Sequence, residues 1–165
     1  MKSVIRAAAF AAGVMAAGHA LAADVIRHKI PNSDFPILRA VEVPADKTTV
    51  YLSGAVPSVA DEKADKATVA AYGDTEAQTA SVLKSIDKTL ADLGLKMGDV
   101  IKMQVFLVGD PARDGKMDFA GFMKGYTQFF GTKDQPNLPT RSVVQVAGLA
   151  SPGFLVEIEV TAVRP

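Results

Sequence analysis

From Phe154 to Val163 the chain alternates in a way few folds can absorb. Phe154, Val156, Ile158 and Val160 point to one side of an extended strand; Leu155, Glu157, Glu159, Thr161 and Val163 point to the other. The first set is wholly apolar and has to be covered. The second mixes charge with hydrocarbon, which makes a poor solvent surface and a poor monomer core. It predicts a sheet with helices on one side and, on the other, a subunit interface with a polar pocket at its edge. The preceding run, Pro139 to Ala147, is also strand-like and divides into Arg141, Val143 and Gln145 against Ser142, Val144 and Val146. Arg141 opens that run, and Glu157 lies midway along the last one. A guanidinium and a carboxylate on one sheet face suit a site that holds a small anion and moves a proton. A structural charge pair would leave the same pattern.

The rest of the chain supplies the covering layer. Thr75 to Leu93 reads as a helix, with Thr75 and Gln78 spaced as a capping box and Ala80, Leu83, Ile86, Leu90 and Leu93 as its apolar face. Gly94 is the expected stop. Val100 to Val108 reads as a central strand. A second helix is expected from about Lys116 to Phe130, where Phe119, Phe122, Met123, Tyr126, Phe129 and Phe130 form a core stripe. Gly121 and Gly125 weaken it, so it depends on packing. Towards the N-terminus, Val25 to Ile30, Ile37 to Val43 and Thr48 to Ser53 read as strands, with Pro44 to Lys47 as a hairpin turn and Ser58 to Gly73 as an exposed loop. The order β-β-β-α-β-α-β-β, without a repeat, predicts an α+β fold with both helices on one face of one mixed sheet.

The first 22 residues read as a secretory leader: Lys2 and Arg6, a small apolar stretch, then Ala20-Leu21-Ala22, with cleavage after Ala22 or Ala23. The apolar stretch is shorter than the roughly 20 residues a membrane-spanning helix needs. The expectation is a periplasmic or secreted protein, free of the membrane once the leader is removed, with residues 23–165 forming one domain. Losing Lys2 and Arg6 lowers the basic count from 18 to 16 against 18 acidic residues, a net charge of −2. That balance offers no footprint for nucleic acid. With no cysteine, and with His28 the only histidine after cleavage, thiolate chemistry and a histidine metal cluster are excluded, and a serine–histidine triad is disfavoured.

Five blocks occur in an order that resembles the RidA (YjgF) family: Ser53-Gly-Ala-Val-Pro57, Gly94 to Phe106, Tyr126 to Phe130, Pro139 to Val146 and Glu157 to Arg164. The resemblance covers the chain from about Pro36 to its end. It implies a chorismate-mutase-like α+β fold, a homotrimer with clefts between subunits, and hydrolysis of reactive 2-imino and 2-enamino acids to 2-oxo acids and ammonia, with no metal or organic cofactor. Carried over by position, Arg141 looks like the arginine that grips the substrate carboxylate, a task suited to a planar, permanently charged fork. Glu157 looks like the glutamate that positions water and shuttles protons. Gly54 falls where backbone approaches the ligand. Three positions depart from the pattern of the deaminating members: Val143 replaces a cysteine, Ile37 a tyrosine and Met123 an asparagine. The pocket they imply is more apolar. Two functions follow as expectations: a hydrolytic deaminase, or a non-catalytic trimer that binds a small carboxylate in the same cleft.

Overall fold

The computed structural model describes residues 24–165; the leader expected over residues 1–22 lies outside the described residues. Six strands and two α-helices follow the expected order. They are β1 (Ile26–Lys29), β2 (Leu38–Glu42), β3 (Thr49–Ala55), α1 (Thr75–Asp92), β4 (Val100–Val108), α2 (Phe119–Tyr126), β5 (Thr140–Val146) and β6 (Val156–Val163). The main sheet runs β3-β6-β4-β5, with β4 and β5 parallel and β6 antiparallel to both of its neighbours. The connections β3–α1–β4 and β4–α2–β5 step across it in the same direction. Parallel crossovers are right-handed almost without exception, so both helices land on one face.

That face is the core. Val82, Leu83, Ile86 and Leu90 of α1 and Phe122 and Tyr126 of α2 pack on Met103, Val105 and Leu107 of β4 and Val156, Ile158 and Val160 of β6. The opposite face carries Tyr51, Lys102, Gln104, Glu157, Glu159 and Thr161, with Tyr51 80% exposed. Of the half-polar set read from the last strand, Glu157, Glu159 and Thr161 therefore lie on a face without a covering layer within one chain, whereas Leu155 and Val163 are buried.

Local details correct the sequence reading. The cap of α1 is Asp74, whose carboxylate accepts from the Ala77 amide at 2.9 Å. Gln78 is fully buried instead of capping: its Nε2 donates to the Gly73 and Gly153 carbonyls, and its Oε1 accepts from the Leu155 amide at 2.7 Å. It ties α1 to the start of β6. Leu93 is left 40% exposed. Helix α2 is shorter than expected at both ends. It is capped by Asp118, which bonds the Gly121 amide. A Cβ on Gly125 would stand 2.6 Å from Thr79 Cβ, so this glycine lets α2 close onto α1. Ser58 to Gly73 is not wholly exposed, because Ala71 and Tyr72 are buried and the Tyr72 ring meets Phe154 edge-on at 4.9 Å.

The turn at Pro44–Lys47 forms, with Lys47 N–H donating to the Pro44 carbonyl, but it joins strands of different sheets and makes no hairpin. β3 pairs with β6, where Val50 and Leu52 reach the core, and β2 pairs with β1. One sheet was expected and two are found. The small β1–β2 sheet is fastened beside the edge strand β5. Leu38 N–H donates to the Pro139 carbonyl at 3.0 Å, and the Arg27 guanidinium donates to the carbonyls of Gly98, Val100 and Leu138. This attachment holds the segment Phe35–Leu38 near Arg141.

Candidate functional site

Arg141 lies on edge strand β5, paired with Met103 of β4, so its side chain shares the helix-covered face with Met103 and Val105. Its guanidinium carbon stands 4.2 Å from the ring centre of Tyr126, 4.9 Å from that of Phe122 and 5.7 Å from that of Phe35. Each such stacking contributes about 0.5–2 kcal/mol, more as water is excluded. Nη2 lies 3.2 Å from the Met123 sulfur, a weak acceptor. Nη1 is buried with no hydrogen-bond partner, and no carboxylate among the described residues pairs with Arg141. Burial lowers the Arg141 pKa, yet an arginine stays protonated in proteins. A buried donor left unmade costs about 1–3 kcal/mol. The fork is thus held charged, on aromatic faces, with a donor unspent.

Tyr126 reinforces this arrangement. Burial pushes its phenol up to about 12, against the opposing pull of the Arg141 charge, and its O–H donates to the Pro36 carbonyl at 2.8 Å. It is a neutral strut beneath the cation, not a base. Ile37, half-buried, follows Pro36 and donates its N–H to the Phe35 carbonyl, which places it in the segment adjoining the fork. Val143 also faces the helix side. The Pro139 carbonyl is spent on Leu38, so strand alternation turns the amides of Arg141, Val143 and Gln145 the same way, off the outer edge of β5.

Glu157 is elsewhere. It pairs with Phe106 of β4, which pairs in turn with Val144 of β5, and all three project from the bare face. A bulge in β3 brings Gly54 under its carboxylate: a Cβ there would stand 2.9 Å from Glu157 Cδ and closer still to Oε1. Among the described residues the Glu157 carboxylate has no ion-pair partner. Along the same face a cavity of about 620 Å3 is lined by Tyr51, Ser53, Lys102, Gln104, Glu159 and Thr161, among others.

The expectation that Arg141 and Glu157 share a sheet face is overturned. Their levels, Met103 and Phe106, are an odd number of residues apart on β4, so the two side chains leave the sheet on opposite sides. The structure brings Arg141, Met123, Val143 and the Ile37 segment into one group, and Gly54 and Glu157 into another. The sequence reading missed Phe35, Phe122 and Tyr126 as the seat of the guanidinium. Sequence patterning assigns Phe122 and Tyr126 to the core alone, although their i, i+4 spacing around Met123, on the helix that precedes the arginine-bearing strand β5, was the available signal.

The model of the family described as Endoribonuclease L-PSP matches residues 33–164. A RutC family protein of Haemophilus influenzae is 32% identical over 136 residues, covering 82% of this chain and 92% of that one. The 2-iminobutanoate/2-iminopropanoate deaminase of Salmonella typhimurium is 34% identical over 115 residues, 70% of this chain and 79% of that one. Among solved structures, Escherichia coli TdcF with bound serine aligns at a TM-score of 0.56 and 30% identity, covering 86% of this chain and 98% of that one.

Proposed function

Because the chain belongs to the Endoribonuclease L-PSP family, also called YjgF or RidA, we propose that it hydrolyses small reactive 2-imino or 2-enamino acids to 2-oxo acid and ammonia. The site we propose is a cleft between copies of the chain in a homotrimer. The opposed placement of the two half-sites supports the cleft: the Arg141 group of one protomer needs the Glu157 group of another. The bare, half-polar sheet face supplies the surface on which copies meet.

In this reading Arg141 takes the substrate carboxylate, with the Val143 edge amide beside it, and Gly54 lets the partner strand approach. Water oxygen bonds to C2 of the imine while Glu157 carries a water proton to the nitrogen. Glu157 then moves the hydroxyl proton to that nitrogen as the C–N bond breaks and C=O forms. Ammonia and the 2-oxo acid leave, and Glu157 is restored. The observation that carries the proposal is the unspent Nη1 of a buried guanidinium with no carboxylate partner. The names of two relatives point the same way.

The test generates 2-iminopropionate or 2-iminobutyrate in situ and follows the 2-oxo acid. Wild type should exceed buffer, and Arg141→Ala and Glu157→Ala should each lower kcat/KM by about 100-fold, or 2.7 kcal/mol. Wild-type rates equal to buffer would remove the deaminase reading for these acids. The Met123 sulfur on Nη2 favours a second reading, a carboxylate-binding trimer without turnover. Equilibrium binding that needs Arg141 but not Glu157, with no turnover, would select it. We also propose export: N-terminal sequencing of protein from the periplasm or medium should begin at Ala23 or Asp24, and an intact Met1 would refute this.

A further inference from the structure

The chemistry around Arg141 constrains the rest of the ligand. Within reach of the fork are the rings of Phe35, Phe122 and Tyr126 and the thioether of Met123, with Val143 and Ile37 close by along the chain. The one hydroxyl among them, on Tyr126, is committed to the Pro36 carbonyl. Apart from the fork itself, no side chain of this group has a free donor for a ligand, and its only acceptors are the Tyr126 oxygen and the weak Met123 sulfur. Phe35 remains 42% exposed beside a charged, incompletely bonded donor. Exposed hydrocarbon next to a buried cation matches a molecule with an acid head and a hydrocarbon body.

Met123 holds the deciding position. Its sulfur occupies Nη2, so a carboxylate that uses both arms of the fork displaces it. With three rotatable bonds and a polarisable tip, it can withdraw and lie along a hydrocarbon chain. A hydroxylated ligand would find only the weak Met123 sulfur and the Tyr126 oxygen, already turned to the cation, as partners for its O–H among these groups, and small apolar ligands would leave the surface uncovered.

On the deaminase reading above, we infer that this clamp selects 2-imino acids with a branched or aromatic hydrocarbon side chain over the alanine- and serine-derived ones, and that Met123 sets the preference. An added methylene group in an apolar pocket changes discrimination by roughly 10–200-fold, so the leucine-derived imine should exceed the alanine-derived one by at least about tenfold in kcat/KM. The experiment generates imines in situ from leucine, phenylalanine, alanine and serine with an amino-acid oxidase and measures kcat/KM for the full chain. In parallel, calorimetry measures binding of 4-methyl-2-oxopentanoate, 3-phenyl-2-oxopropanoate, pyruvate and hydroxypyruvate. Wild type should prefer the first two members of each series. Met123→Asn should reduce that ratio several-fold, and Met123→Leu, which keeps the hydrocarbon, should preserve it. Equal or better turnover of the alanine- or serine-derived imine overturns the inference, as does an unchanged ratio in a folded Met123→Asn. If no imine is turned over, the deaminase reading fails and the binding series decides alone: tighter 4-methyl-2-oxopentanoate upholds the selectivity, and equal affinities end it.

Discussion

Replacing Gly54 with alanine should silence Glu157 without removing it. The added methyl carbon would stand 2.9 Å from Glu157 Cδ and nearer still to Oε1, whereas carbons rest at roughly 3.5–4.0 Å. The carboxylate must therefore retreat by about 1 Å or take another rotamer. On the proposed mechanism Glu157 is a reacting group, where a displacement of that size costs on the order of 100-fold, so kcat/KM for in situ 2-imino acids should fall by about that factor, or 2.7 kcal/mol. Gly54 does not lie at positive φ, so alanine strains no backbone there and the fold should survive, with a stability change within about 1 kcal/mol by urea denaturation. The cycle with Glu157→Gln isolates the cause: Gly54→Ala added to Glu157→Gln should have no further effect. Wild-type kcat/KM in Gly54→Ala, or a full additional loss on the Glu157→Gln background, would refute the role given to this contact.

Three further outcomes follow from named contacts. If, as proposed, each shared cleft takes one group from each neighbour, mixing chains of Arg141→Ala and Glu157→Ala into common assemblies should restore about one quarter of wild-type activity; no recovery over either variant alone would place both groups in one chain's site. Gln78→Leu leaves the Gly73 and Gly153 carbonyls and the Leu155 amide without partners, so at fixed protein concentration it should cost about 3 kcal/mol or more in urea denaturation, and a loss below about 1 kcal/mol would contradict the buried bonding. The Tyr126 phenol is raised from 10.0 to about 12 by burial, so the folded chain keeps a proton that the unfolded chain loses. That contribution is intact below pH 10 and fades as pH rises towards 12; Tyr126→Phe should flatten this part of the stability curve, and an unchanged slope would show that the phenol titrates normally.

Elements set by local periodicity were legible: β4 matches its expected bounds, and α1 and β6 lie within two residues of theirs. The alternation within β6 was also legible, with Val156, Ile158 and Val160 covered and Glu157, Glu159 and Thr161 on the other side, but Leu155 and Val163, assigned to the mixed side, are buried. What could not be read was the phase between strands. Arg141 and Glu157 each have a definite parity on their own strand, but only the ladder through β4, Met103 to Arg141 and Phe106 to Glu157, fixes one parity against the other. Register is non-local, and a one-residue slip exchanges the faces. For the same reason Pro44–Lys47 looked like a hairpin, because a turn signal is local and the choice of β6 as partner for β3 is not. Gln78 misled differently. Its spacing from Thr75 fitted a cap, while Asp74, one residue earlier, already supplied the oxygen, which freed Gln78 for the interior.

The two-sided placement of Arg141 and Glu157 has a consequence for where such chemistry can run. On the proposed reading, a solitary folded chain would hold the Arg141 half of one cleft and the Glu157 half of another, and complete neither. Specific activity should therefore climb with protein concentration and vanish on dilution, while spectroscopic signs of the native fold persist. Under that proposal, crowding of like chains, more than synthesis or folding, would be the event that switches activity on.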